Sequence, residues 1–358
     1  MREKDPKAEI WDGARSGTQA ALDVFNADGT GDVRDVKKPL TELVGDAEQV
    51  YTDIVGSQPK TSGLLDFLRG GSNPLQGFSG IIENKKVRPL RRLMNDLRVI
   101  KSDAEILNMR KAGEAAGLSF TETMRNGFRG EKELDTFLSN QFRVNGCDRS
   151  AFEAVAAGGV NALSIHYVRN DCLLEPGDLV LADAGGEYGG YVSDITRTWP
   201  VNGRFSPAQR DLYEVVLKVQ RACIKECSQA QATTLDALHQ KAERMLKEEL
   251  TQLGFNMSNR SSGDPMTTLF PHHLSHHLGL DLHDCVGYSK KVPLKAGQCI
   301  TIEPGIYVPS EADERFPAHF RGMGIRIEDS ICVKKDGDPL ILTNAAVKAV
   351  ENIEALRR

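Results

Sequence analysis

From Ser102 onward, apolar residues recur every three or four positions and mark a series of amphipathic helices. Ser102-Asp103-Ala104-Glu105 has the form of a capping box, and Ile106, Met109, Ala112, Ala116 and Phe120 follow it at helical spacing. The same period predicts helices over 131–144, 207–227 and 233–252, with Ser206 capping the third and Pro207 in its first turn. Between and after these helices lie strand-like runs at 179–183, 191–199, 298–302 and 324–333. Helices interleaved with hairpin-forming strands predict an α+β fold, with helices packed on an antiparallel sheet. Residues 1–100 read differently. They hold two breaks, Gly56-Ser57-Gln58-Pro59 and Gly70-Gly71-Ser72-Asn73-Pro74, with only short apolar patches between them. A boundary near residue 100 therefore separates an N-terminal domain, 1–100, from a second domain, 101–358.

Composition narrows the function by exclusion. The 358 residues leave room for two domains and a large core. A formal net charge of −5 gives no electrostatic case for nucleic acid or an anionic membrane as partner. The basic run from Lys85 to Arg92 has no interleaved aromatics and reads as a solvated face. Seven scattered cysteines without a C-x-x-C pair read as reduced thiols in a reducing compartment. No apolar run approaches the roughly 18 residues of a membrane span, so no integral membrane segment is expected. Met1-Arg2-Glu3-Lys4-Asp5-Pro6 carries neither a secretory signal nor a visible presequence.

Candidate chemistry lies in the second domain. With Tyr188-Gly189 as a two-residue hairpin loop, Glu187 pairs with Gly190 and Asp183 falls directly opposite Asp194, their Cβ atoms about 4.5–5.5 Å apart. Facing carboxylates among Leu179, Val180, Leu181, Tyr191 and Val192 are costly unless a proton or a cation lies between them. A bulge that shifts the register and leaves two plain turn residues is the stronger reading for such a pair taken alone. The rest of the sequence changes that balance. His272, His273, His276, His277 and His283 place five of the eight histidines within twelve residues, and imidazole is the commonest metal-binding side chain. Glu303 follows Ile300-Thr301-Ile302, and Glu328 follows Ile325-Arg326-Ile327, so both sit inside apolar strand-like runs. Four buried carboxylates and two divalent cations cancel in charge, and metal pairs about 3.5–4 Å apart are a known hydrolytic device. Such an oxygen-rich site favours Mn²⁺, with Zn²⁺ or Co²⁺ also able to bind.

The order Asp183, Asp194, His276, Glu303, Glu328 resembles aminopeptidase P of the pita-bread metallopeptidase family. The contexts are Asp-Ala-Gly, Ser-Asp-Ile-Thr-Arg-Thr, Leu-Ser-His-His-Leu-Gly-Leu-Asp-Leu-His-Asp, Ile-Glu-Pro-Gly-Ile-Tyr and Arg-Ile-Glu-Asp, and the match covers most of residues 95–340. The stretch from Thr198 to Phe205 is similar to the branch holding the mitochondrial intermediate cleaving peptidases and mitochondrial X-Pro aminopeptidases. The resemblance implies a pita-bread catalytic domain, with helices on a curved antiparallel sheet, preceded by a partial creatinase-like N-terminal domain. It implies a dinuclear-metal aminopeptidase acting on peptide or protein N-termini and releasing a single residue. The residue released would be a bulky one from processed mitochondrial precursors, or alternatively one preceding proline. Residues 1–100 resemble only the later part of the creatinase-like domain, so the chain is expected to begin inside it. A mitochondrial location follows from the resemblance, with a cytoplasmic or nuclear short form as the alternative, and a homodimer is allowed.

Roles follow residue by residue. Glu303 would be both metal ligand and general base, and His166 would hold the substrate or its tetrahedral intermediate. His283 would bond the developing oxyanion, and His272 would shape the cleft. Tyr307 and Arg326 would line the pocket beside the metals, with Phe152 packing against the substrate's first side chain. His273, His277 and His319 read as packing or surface histidines. A prolidase-like dipeptidase is the nearest rival enzyme. A non-catalytic binding protein or a metal-free amidinohydrolase on the same fold fits poorly, because all five ligand positions are filled.

Overall fold

A computed structural model describes residues 1–53, 81–82, 84–258 and 263–357, so the expected breaks at 56–59 and 70–74 lie outside the described residues. The chain divides into two compact units, Met1–Met94 and Asn95–Arg358. The first holds helices α1 (Pro6–Asp12), α2 (Gln19–Phe25) and α3 (Lys37–Gly45), and a parallel pair of short strands, β1 (Gln49–Tyr51) and β2 (Lys86–Arg88). Lys86, Arg88, Arg91 and Arg92 are exposed, in keeping with a solvated basic run.

The second unit is built from helices packed on antiparallel ladders. Its helix α4 (Asp103–Arg125) begins at a complete capping box: Ser102 Oγ accepts from the Glu105 N–H, and the Glu105 carboxylate accepts from the Ser102 N–H. Helix α5 spans Glu131–Val144, as the period predicts. Helix α6 (Pro207–Ile224) starts at a second box formed by Ser206 and Gln209, with Pro207 at its first position, and α7 (Leu235–Gln252) starts at a Thr234 cap. Their apolar faces meet the sheets in one large core that includes Phe120, Phe142, Trp199, Leu246 and Ile300. Gly113 of α4 lets the C-terminal segment lie against the helix, since a Cβ there would stand 2.4 Å from the Leu342 carbonyl oxygen.

Strands β3 (Arg149–Ser150), β4 (Val155–Gly158), β5 (Leu179–Ala184), β6 (Gly186–Tyr188), β7 (Tyr191–Val192) and β8 (Ile195–Pro200) form two ladders, in the orders β4-β5-β8 and β3-β6-β7. Strands β9 (Cys299–Ile302), β10 (Gly305–Tyr307), β11 (Gly324–Arg326), β12 (Asp329–Cys332) and β13 (Leu340–Ile341) form two more, β13-β12-β9 and β10-β11.

The hairpin register differs from the one expected. Tyr188 pairs with Tyr191, so the loop is Gly189-Gly190 and Asp183 lies opposite Thr196, not Asp194. Both loop glycines have positive φ, +57° and +82°, which two-residue hairpin turns demand and tyrosine resists. The resulting slip is two residues, an even number, so every side chain keeps its face of the sheet. Two runs expected to be continuous strands are broken, at 193–194 between β7 and β8 and at 327–328 between β11 and β12. Asp194 and Glu328 sit at these breaks.

Candidate metal centre

The two sheet breaks and the ends of β5 and β9 converge. Asp194 and Glu328 come from the breaks, Asp183 from β5, and Glu303 from the residue after β9. His276 lies on a loop bonded to β9 at both ends of its own peptide unit: its N–H donates to Thr301 Oγ1 (3.2 Å), and its carbonyl accepts from the Thr301 N–H (3.0 Å). The His276 Nδ1–H donates to the His277 carbonyl at 3.0 Å, which turns Nε2 toward the carboxylates. That nitrogen is 3.4 Å from Asp194 Oδ2 and 3.6 Å from Glu303 Oε1. Ligand atoms of Asp194, His276 and Glu328 all lie within 4.8 Å of one another.

Electrostatically the cluster lacks positive charge. Burial, opposed by Arg326 and reinforced by Asp194, pushes the Asp183 carboxyl up to about 6. Glu303 is likewise pushed up to about 7 by burial, against the pull of His276. Glu328 is driven well above the carboxylate range by burial and by Asp194, Glu303 and Asp183 around it. Burial opposes charge on His276, yet Asp194 and Glu303 outweigh it and hold the imidazole up at about 9. Burial and crowded negative charge favour the protonated forms. Two buried oxygens, Asp183 Oδ1 and Glu328 Oε1, accept no hydrogen bond from a donor among the described residues. Orphaned carboxylate oxygens aimed into a cluster of four carboxylates and one oriented imidazole fit divalent metal ions of the hard, oxygen-seeking kind.

Around this cluster the other expected residues fall into two groups. Arg326 donates from Nη2 to Asp183 Oδ2 (2.7 Å), from Nε to Thr196 Oγ1 (3.0 Å) and from Nη1 to the Tyr307 hydroxyl (2.6 Å). Burial and the Arg326 charge hold His272 down at about 3, so it is neutral. With its Nδ1–H on the His273 carbonyl, its Nε2 accepts from the Tyr307 hydroxyl at 3.0 Å. His272, Tyr307, Arg326 and Asp183 are therefore one connected chain. On the other side, His283 meets His276 edge to face, with ring centroids 4.5 Å apart. His166 is exposed on the loop after β4 and close enough for its charge to be felt at His283. Phe152 is half-buried, its ring edge against Gly185, 3.1 Å from where a Cβ would stand. His273 stacks on His239, His277 is buried, and the exposed His319 lies beside Phe320.

The hydroxyls that brace the carboxylates were not foreseen. Thr196 Oγ1 donates to Glu328 Oε2 (2.6 Å), Thr301 Oγ1 donates to Glu303 Oε1 (3.2 Å), and Ser330 exchanges hydrogen bonds with the Asp194 backbone. Nor was the fully buried Arg197–Asp329 pair at 2.7 Å, which ties β8 to β12 beneath the site. The signal was present in the alternation of Thr196 and Thr198, which puts both on one face of β8, two and four residues after Asp194.

An inward-facing set of four carboxylates and one imidazole, carried by the strands and their connections in a fold of helices packed over antiparallel ladders, defines a metal-dependent hydrolase of the pita-bread architecture. The model of metallopeptidase family M24 matches residues 107–335, and that of the aminopeptidase P N-terminal domain matches residues 1–51. Intermediate cleaving peptidase 55 of Saccharomyces cerevisiae is 42% identical over 357 residues, covering 99% of this chain and 68% of the relative. Xaa-Pro aminopeptidase 3 of Rattus norvegicus is 38% identical over 360 residues, with 99% and 68% covered. A crystal structure of Icp55 from Saccharomyces cerevisiae, lacking its N-terminal 58 residues, superposes with a TM-score of 0.89 at 39% identity, covering 100% of this chain and 80% of that one. The chain belongs to metallopeptidase family M24. It is a metalloaminopeptidase of the pita-bread fold that acts on peptides with the help of divalent metal ions. Among the described residues, no helix is long and apolar enough to cross a membrane.

Proposed function

We propose that the chain removes one residue at a time from peptide N-termini at a dinuclear centre. Asp183, Asp194, His276, Glu303 and Glu328 would hold the ions, and Mn²⁺ suits their oxygen-rich donor set best. The observation that carries this reading is the pair of buried oxygens, Asp183 Oδ1 and Glu328 Oε1, unpartnered among the described residues, beside the close grouping of Asp194, His276 and Glu328. When bound, the ions would acidify a water molecule and polarise the scissile carbonyl.

This chain's residues do the rest. Glu303, anchored by the Thr301 hydroxyl, takes the proton of the attacking water and passes it to the leaving amine. His283 and His166 hydrogen-bond the carbonyl oxygen as charge develops on it. Arg326 keeps Asp183 ionised and holds the Tyr307 hydroxyl beside the neutral His272. The carboxylate-rich dinuclear centre would also receive the substrate's free α-amino group, as an ammonium or as a neutral amine on a metal, which restricts cutting to the chain end. Phe152 would pack on the first side chain.

The kinship with intermediate cleaving peptidases favours release of a bulky residue such as Tyr, Phe or Leu from freshly processed mitochondrial precursors. A mitochondrial setting and a homodimer belong to the same reading. The alternative is cleavage before proline, as in the names of the Xaa-Pro aminopeptidase relatives, with Tyr307 against the ring. A pair of peptides, one beginning Tyr-Ser and the other Ala-Pro, separates them by mass spectrometry of the metal-loaded protein. Release of Tyr supports the first reading. Efficient cutting of Ala-Pro with no release of Tyr restores X-Pro specificity.

A further inference from the structure

Glu131, the first residue of α5, is fully buried, and it is not paired with a cation among the described residues. Burying a carboxylate is costly unless hydrogen bonds replace its lost water. Here four neutral donors do so. Oε1 accepts from the Gly158 N–H and from Asn161 Nδ2, both at 2.8 Å. Oε2 accepts from the Tyr167 hydroxyl at 2.8 Å and from the Cys172 N–H at 2.9 Å. Glu131 also lies near Asp171 and Cys172 in a grouping that could suit a metal, but its oxygens are already filled by donors.

These four donors all belong to one stretch of chain, the connection from β4 toward β5. The carboxylate binds its start (Gly158), its turn (Asn161), its middle (Tyr167) and its end (Cys172). Asn170 secures the same stretch from a second point, its side chain accepting from the Ala156 N–H and donating to the Ala154 carbonyl. His166 immediately precedes Tyr167 and stands exposed, with its charge felt at His283. A loop fastened only at its ends would leave His166 free to wander. Fastening the neighbouring tyrosine by its hydroxyl removes that freedom. A glutamine could not replace the carboxylate, because its NH₂ group would oppose the Gly158 or Cys172 N–H.

We propose that Glu131 is a positioning residue for peptide hydrolysis, holding the 158–172 loop so that His166 stands over the metal centre. The proposal rests on the role given to His166 above. It acts without touching substrate, and its effect reaches the reaction only through His166.

The test compares Glu131→Gln, His166→Ala, the double variant and Tyr167→Phe, all loaded with Mn²⁺ and assayed on a Tyr-Ser peptide. Tyr167→Phe removes one of the four hydrogen bonds to Glu131, with the hydroxyl's contacts to Asn161 Nδ2 and Cys172 Sγ, and is the milder change should Glu131→Gln fail to fold. Hydrogen exchange read by mass spectrometry gives a measure independent of activity. Expected in Glu131→Gln is faster exchange over 159–172, with kcat down about 10–100-fold from misplacement of one group. KM should stay within about threefold, as for an interaction made in the transition state. Tyr167→Phe should show a smaller loss of the same kind. The double variant should be no slower than His166→Ala within about twofold, because a residue acting through another adds nothing once that other is gone. Wild-type turnover in Glu131→Gln, or in Tyr167→Phe where Glu131→Gln does not fold, overturns the positioning role while His166 stands. Losses that multiply in the double variant do the same. Wild-type turnover in His166→Ala overturns the reading of His166 itself, and the proposal with it.

Discussion

Single side chains at the centre divide into those that hold charge and those that orient the holders. Glu303 does the first and also moves a proton, so Glu303→Gln should retain the fold yet lose turnover by about 10²–10⁴-fold, the usual worth of a general base. Steady-state kinetics on a Tyr-Ser peptide check this, and wild-type turnover would remove Glu303 from the chemistry. Thr196 does the second. Its hydroxyl donates to Glu328 and accepts from Arg326, so it fixes one ligand and the guanidinium that fixes another. Thr196→Val keeps the shape of the strand and deletes both bonds. Metal affinity should fall by about 10–100-fold, as for other groups that orient a ligand. Isothermal titration with Mn²⁺ measures it, and an unchanged affinity would make Thr196 a bystander.

At the level of elements, the site depends on how closely helix α4 and the sheet connections approach the C-terminal segment. Gly113 permits that approach, because a side chain would press on the backbone oxygen of Leu342 and not on a flexible side chain. Gly113→Ala should cost about 1–3 kcal/mol, the usual penalty of overpacking. Gly127 is the control, since a Cβ there meets nothing within 4 Å. Thermal denaturation of the two variants decides: equal melting temperatures would mean that the segment shifts at no cost. The hairpin teaches a related lesson. A reading that put Tyr188 in the loop misplaced the register by two residues, since the sequence Tyr188-Gly189-Gly190 allows either dipeptide as the turn. Pairing chose Gly189-Gly190, where both residues take positive φ.

For the molecule as a whole, metal and stability are linked. In the metal-free protein Asp183, Glu303 and His276 all have folded-state values raised above their ordinary ones, to about 6, 7 and 9. A raised group stabilises the fold while it stays protonated there, and that contribution is lost as pH climbs from the unfolded value to the folded one. Below about pH 6.5 the buried histidines with lowered values, His272, His273 and His277, oppose this, so the metal-free melting temperature should fall between about pH 6.5 and pH 9. Divalent ions replace the protons, so saturating Mn²⁺ should flatten this slope and raise stability at pH 8, by about 2.7 kcal/mol at a hundred times its Kd. Calorimetry with and without a chelator tests both, and full activity after verified removal of metal would sink the metal-dependent mechanism. Helix starts were legible in the sequence because capping boxes at Ser102 and Ser206 are local, each closed within four residues. The five ligand candidates were legible for a different reason: carboxylates and histidines inside apolar runs have no cheap place in a core. What only the tertiary structure decided is how they meet. Asp194 and Glu328 reach the centre because the strands carrying them break there. The Thr196, Thr301 and Glu131 hydrogen bonds join residues that no local pattern links, and such contacts exist only once the sheets have packed.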